Sequence, residues 1–214
     1  MTKITAEKPT QVRDPVATQK RILKAAKREF AQKGLGGARI DIVAEKAKSN
    51  KRMIYHYFGS KEELFQKVVE DSYLDIREAE KKLHLERLPP QEAIETLVRF
   101  TWHYYLKNPE FLTLVNSENL HRAVHLKKSE AIKSAQQSMV GLMGNILERG
   151  AQEGIFRPGV DPEQLIITIA AVSYYYFTNK YTGAILFDRN FMDPDALQKR
   201  LDFNIDTIMR ILKP

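Results

Sequence analysis

Apolar residues recur every three or four positions through most of this chain, and nowhere does a run alternate with period two, so the pattern predicts helices and no strands. Asp14-Pro15 sets a capping side chain before a proline at the first helical position, and Ile22, Leu23, Ala26 and Phe30 follow until Gly34. After GLGG, residues 38–48 (ARIDIVAEKAK) put Ile40, Val43, Ala44 and Ala47 on one side, and SNKRMIYHYF then runs to Gly59. Ser60 and Glu63 frame a capping box, which opens a long helix through Leu64, Phe65 and Val68 into the 80s. Pro89-Pro90 precedes the aromatic segment QEAIETLVRFTWHYYLK, which Asn108-Pro109 ends. Further helices are predicted around 110–125, 129–153, 162–182 and 194–212.

The fold class is therefore all-α. A three-helix helix-turn-helix unit is expected over residues 14–60 and a separate helical bundle over 61–214. Residues 1–13 are polar, contain Pro9 and lack periodicity, so they are expected to form a disordered arm.

Charge sharpens this division. Residues 1–70 carry 16 Lys/Arg against 8 Asp/Glu, a net +8, whereas residues 71–214 carry 18 against 19, a net −1. A basic module of this kind suits a phosphate backbone, because neutralising phosphates releases counterions. The chain has no cysteine, which excludes disulfides, thiolate metal sites and cysteine nucleophiles. The longest apolar stretch, Leu165 to Phe177, is interrupted by Thr168 and Ser173 and is far too short to span a membrane. The first 20 residues lack a signal-peptide core, so a cytoplasmic protein without membrane partners is expected.

Residues 38–61 (ARIDIVAEKAKSNKRMIYHYFGSK) hold two short helices joined by a tight turn, the second basic and aromatic. Such a pair suits double-stranded DNA, one helix bracing on the backbone while the next enters the major groove. Ile54 and Phe58 share one side of the second helix. Lys51, Arg52, Tyr55 and His56 fan over an adjacent arc of about 140°. Lys51 and Arg52 can donate to guanine or phosphate, Tyr55 can meet a thymine methyl or phosphate, and His56 and Tyr57 can donate to phosphate. Tyr57 fits a half-buried core tyrosine as well, and His56 a solvated surface histidine. Lys61 can reach phosphate beside the first amides of the next helix.

ILKAAKREFAQKG, IVAEKA and above all KRMIYHYFGSKEELF resemble the tetracycline-repressor (TetR) family of bacterial regulators, specifically over residues 18–70. The branch that includes the pyrimidine-utilisation regulator is the nearest in general character. The resemblance implies a dimeric, ligand-responsive regulator, most often a repressor, that reads a pseudo-palindromic operator. It places Arg39, Asn50, Lys51, Arg52, Tyr55, His56, Tyr57 and Lys61 at the DNA. Many members carry Gly-Val where this chain has Lys48-Ser49, so a left-handed backbone cost is expected in that turn.

In the second half, the segment from Asp161 to Phe187 is apolar around most of its circumference, and the last helix carries a clean apolar stripe. A helix apolar on two sides implies a second burial partner, and two-fold association through four helices supplies one. Leu165, Ile169, Val172, Tyr176, Leu201, Ile205, Ile208 and Leu212 are the expected dimer residues. Aromatic walls with a few polar groups are what a small-molecule effector needs, and Trp102, Tyr105, Asn119, Arg122, Tyr174 and Phe177 are the expected pocket residues. His121 and His125 share a helix face with Glu118, but further ligands cannot be placed, so neither metal nor other cofactor is expected. Two alternatives remain: a ligand-independent dimeric DNA-binding protein, and a helical enzyme using His103, His121 and Glu118. The latter lacks a nucleophile elbow, phosphate loop or metal signature.

Overall fold

The computed structural model describes residues 14–127 and 129–214, so the expectation about the N-terminal arm lies outside the described residues. The chain divides into two compact units, with the boundary between Phe65 and Gln66.

The first unit contains α1 (Pro15–Gly37), α2 (Ile40–Lys46), α3 (Lys51–Phe58) and the first turn of α4 (Lys61–Lys81). Asp14 Oδ1 accepts from the Val16 and Ala17 N–H groups at 2.9 and 3.2 Å, capping α1 as its Asp-Pro start predicts. Helical geometry in α1 breaks at Gly34, whose φ of 65° needs a residue without Cβ. Ile22, Ala26, Phe30, Val43, Ile54, Leu64 and Phe65 form the core, in which the Phe30 and Phe65 rings meet edge-to-face at 5.2 Å.

The second unit continues α4, passes a 3₁₀ turn (Leu85–Arg87), and adds α5 (Pro90–Lys107), α6 (Pro109–Leu120), α7 (Glu130–Gln152), α8 (Pro162–Thr178), α9 (Lys180–Leu186) and α10 (Pro194–Leu212). Prolines open α5, α6, α8 and α10 at the first helical position, where a missing N–H costs nothing. α5 is the central element, packed against α7, α8 and α10. Around it lie two apolar clusters. One joins Ile94, Leu97, Met143, Leu165, Ile169, Ile208 and Leu212. The other is aromatic and joins Trp102, Tyr104, Tyr105, Phe111, Tyr176, Phe177 and Phe191. Among the described residues there is no strand, and no helix is long and apolar enough to cross a membrane.

Two expected boundaries move. The helix read over 110–125 stops at Leu120, because the buried Glu118 side chain reaches forward. Its carboxyl oxygens accept from the His125 and Leu126 N–H groups (2.9 and 3.2 Å) and from His125 Nδ1 (2.7 Å), folding residues 121–127 into turns. Arg122 and Ala123 there take left-handed φ of 57° and 55°. The helix read over 162–182 is broken at Asn179 into α8 and α9.

Candidate nucleic-acid interface and ligand cavity

The turn between α2 and α3 is a Schellman motif: Ser49 N–H donates to Ala44 O at 2.9 Å and Lys48 N–H to Glu45 O at 3.0 Å. Lys48 occupies its left-handed position at φ 50°, so the strain expected there is present. Asn50 then caps α3 by accepting the Met53 N–H at 2.9 Å. The Asn50 side-chain carbonyl is thereby engaged within the helix start, leaving its amide NH₂ for an outside contact. Ser60 Oγ accepts the Glu63 N–H at 3.0 Å, the forward half of the expected capping box. In place of the reciprocal half, the Ser60 N–H donates to Phe58 O, and the Glu63 carboxylate lies against Gly59.

α3 is held by one side and open on the other. Ile54 is 0% exposed, whereas Lys51, Arg52, Tyr55 and His56 are exposed, and Tyr57 is half-buried with its ring against those of His56 and Phe58. Arg39 is exposed but forked onto Asp41, Nη2 to Oδ2 at 2.6 Å and Nε to Oδ1 at 3.2 Å. That pair holds the guanidinium pKa above its ordinary value and the Asp41 carboxyl below its own. Lys61 Nζ donates to Gly36 O at 3.3 Å. Beneath this surface sits Glu29, which sequence reasoning missed. It is 4% exposed, accepting the Arg39 N–H (3.4 Å) and pairing with Lys46 (3.1 Å), so it ties α1 to both ends of α2. The arrangement presents a cationic and aromatic helix on a braced support, the geometry of a helix-turn-helix DNA reader.

In the second unit four of the six expected pocket residues converge. Trp102 packs between Tyr176 and Phe177, with ring centroids at 5.3 and 4.5 Å, and Tyr105 meets Tyr174 edge-on at 6.2 Å. The Tyr174 hydroxyl donates to Asn116 Oδ1. Asn119 and Arg122 do not join them. Asn119 is exposed, with its amide donating to Val115 O, and Arg122 is exposed because α6 ends before it.

A small cavity of ≈ 20 Å³ lies between α4, α5, α7 and α8, lined by Tyr105 and by two residues the sequence did not single out, Arg77 and Glu80. Glu80 extends the inward Val69–Ile76 register of α4, and a carboxylate in an apolar register was the available signal. Burial pushes the Glu80 carboxyl up to about 7, against the opposing pull of Arg77. Burial likewise raises the Tyr104 and Tyr105 phenols.

Six of the eight expected dimer residues require a correction. Leu165, Ile169, Tyr176, Leu201, Ile208 and Leu212 are buried within this chain, while Val172 and Ile205 are half-buried. A side chain already covered by its own chain has no surface left for a partner. The exposed apolar residues of the same two helices are Ile167, Tyr175, Phe203 and Ile211.

The histidines have local partners: His103 Nδ1 with Arg99 O, His121 Nδ1 with Ser117 O, and His125 Nδ1 with Glu118, each at 2.7 Å. Among the described residues, no cluster of three or more His, Asp or Glu is placed to hold a metal ion.

An all-α chain with a braced, cation-bearing α3 after a tight turn belongs to the class of helix-turn-helix DNA-binding proteins. Comparison with known proteins makes this specific. Residues 22–68 match the model "Bacterial regulatory proteins, tetR family", and residues 90–208 match "Tetracyclin repressor-like, C-terminal domain". The HTH-type transcriptional repressor NicS of Pseudomonas putida is 38% identical over 196 residues, covering 92% of each chain. The HTH-type transcriptional regulator RutR of Escherichia coli O157:H7 is 30% identical, over 83% of this chain and 84% of its own. AibR, solved with isovaleryl coenzyme A and operator DNA, shares the fold at a TM-score of 0.65 and 17% identity, over 89% of this chain and 97% of its own. The chain belongs to the TetR family of transcriptional regulators.

Proposed function

We propose that this protein is a ligand-responsive transcriptional repressor that binds a pseudo-palindromic operator as a dimer. The observation that carries the reading is α3, whose Ile54 is fully buried while Lys51, Arg52, Tyr55 and His56 face solvent. Lys51 and Arg52 read base edges or phosphate, and Tyr55 and His56 add contacts along the same arc. Arg39, Asn50, Tyr57 and Lys61 position the backbone. The Asp41 fork leaves Arg39 a weaker phosphate ligand than an unpaired guanidinium.

A second copy joins across the outward sides of α8 and α10, where Ile167, Tyr175, Phe203 and Ile211 wait for cover. The aromatic group of Trp102, Tyr105, Tyr174 and Phe177, with the cavity beside it, houses the effector. Its occupation changes α4, which begins in the first unit and ends in the second. Effector and operator then favour different conformations, so each weakens the other's binding. Operator DNA sets the place of action in the cytoplasm.

Selection of bound sequences from random duplexes tests the reading, and an enriched inverted repeat is the expected result. Lys51→Ala should lower affinity for that repeat about tenfold and flatten its salt dependence, with an unchanged melting temperature, because the side chain is exposed. Equal affinity of the two proteins in an anisotropy titration would remove Lys51 from the interface.

A further inference from the structure

Arg77 and Glu80 stand one turn apart on α4 and line the cavity between α4, α5, α7 and α8. Arg77 Nη1 lies 2.8 Å from Glu80 Oε2, and the Glu80 side chain is only 6% exposed. The two atoms attract by charge at an angle that makes no hydrogen bond, so both remain buried without a hydrogen-bond partner. The other lining residues are apolar, except Thr101 and Tyr105 of α5. A buried ion pair seldom stabilises a core better than apolar side chains of the same size. An imperfectly satisfied one at a cavity calls for a ligand.

We propose that this cavity is the effector site in a contracted state and that its ligand is a small organic carboxylate, which takes Arg77 over from Glu80. The inference rests on reading the second unit as an effector-binding domain. Charge selects the class. Arginine cannot shed its proton, whereas a glutamic acid can gain one. An incoming cation would therefore face a permanent guanidinium, while an incoming carboxylate meets a fork of donors matched to its two oxygens. Glu80, once displaced, takes up a proton and turns from competitor into a further donor.

The apolar body of the ligand packs on Leu97, Met139, Ile166 and Ile169. The cavity, at ≈ 20 Å³, has room for about one water molecule. Binding must therefore part the walls, and Met139, with its flexible thioether, is the wall residue best able to yield.

Proton uptake gives the site a signature. The titratable and charged groups facing Glu80 are Arg77 on its own helix and the phenols of Tyr105 and Tyr104 from α5. α7 and α8 contribute Met139, Ile166, Ile169 and Ala170, none of which titrates. In the empty site the Glu80 pKa is already raised, to about 7. Losing Arg77 and gaining a neighbouring anion raises it further, so binding takes up a proton. Affinity should accordingly fall as pH rises above 7, by up to about tenfold per pH unit.

The full-length protein is titrated calorimetrically with benzoate, benzamide and benzylammonium, three single-ring probes differing in charge, at about pH 6 and about pH 8. Benzoate should bind best, more weakly at the higher pH, and with proton uptake visible as a buffer-dependent heat. Arg77→Met should abolish binding. Glu80→Gln, close to the protonated shape, should bind benzoate with little pH dependence. Preference for benzamide or benzylammonium, absence of benzoate binding at millimolar concentration, or an unchanged pH slope in Glu80→Gln would overturn the assignment. Operator release is measured in parallel. If a neutral or cationic compound releases DNA, the repressor reading stands and the carboxylate inference falls, whereas loss of specific operator binding itself would remove the repressor reading.

Discussion

Glu29, Glu80 and Glu118 each occupy a position where a helix turns its apolar side inward, and each is 6% exposed or less. Carboxylates are rarely buried without partners, so these three carry much of what composition and periodicity do not disclose. The exposed cations of α3 were legible because a basic, aromatic arc beside an apolar one is visible in the residues themselves. The buried glutamates were not, since register arguments treat a carboxylate as a break in the stripe rather than as its content. Lys48 is a counter-example, being a strained position that the sequence did expose. Its left-handed backbone costs about 1–2 kcal/mol. Glycine would remove that strain while losing about 0.5–1 kcal/mol of unfolded-chain entropy. Lys48→Gly should therefore protect the α2 and α3 amides by up to about 1 kcal/mol in hydrogen exchange, and faster exchange would show that the lysine is not strained.

At the scale of elements, helix starts were read well because their signals are local: Asp14-Pro15, Pro90, Pro109, Pro162 and Pro194 sit at the observed first turns. Ends were read less well. Nothing in a 3.6-residue period announces that the Glu118 carboxyl will cap N–H groups seven and eight residues ahead. That single fold-back ended α6 early and put Arg122 at the surface, while Asn119 faces outward from the last turn of α6 itself, so the sequence-based pocket kept only its aromatic members. Glu118→Ala should consequently cost about 2–3 kcal/mol, because it leaves the His125 and Leu126 amides without their acceptor. Urea unfolding followed by Trp102 fluorescence would measure it, and a cost below about 0.5 kcal/mol would mean that the turn holds without its cap.

For the whole molecule, the division of labour is written in charge: the net +8 of the first 70 residues suits a phosphate-binding module, and the near-neutral remainder forms a compact helical unit of its own, proposed to carry the dimer contact. Association is where periodicity ran out. α8 and α10 bear apolar residues on two sides, and spacing alone cannot say which side a helix gives to its own chain. Burial resolves the choice, with Ile208 and Leu165 turned inward and Phe203, Tyr175 and Ile167 outward. The two sets should respond differently to substitution. Ile208→Ala opens a cavity in the core and should cost about 2–5 kcal/mol of stability wherever the protein is assembled. Phe203→Lys combined with Tyr175→Lys should leave the fold near wild-type stability but place like charges, beside the existing Arg200, in an apolar contact, giving a monomer by light scattering. On the proposed pseudo-palindrome one α3 engages only half of the site, so that monomer should bind the full operator far more weakly than wild type while retaining the same salt-dependent contact with a half-site. A stable dimer from the double variant would mean that the two copies meet on another face.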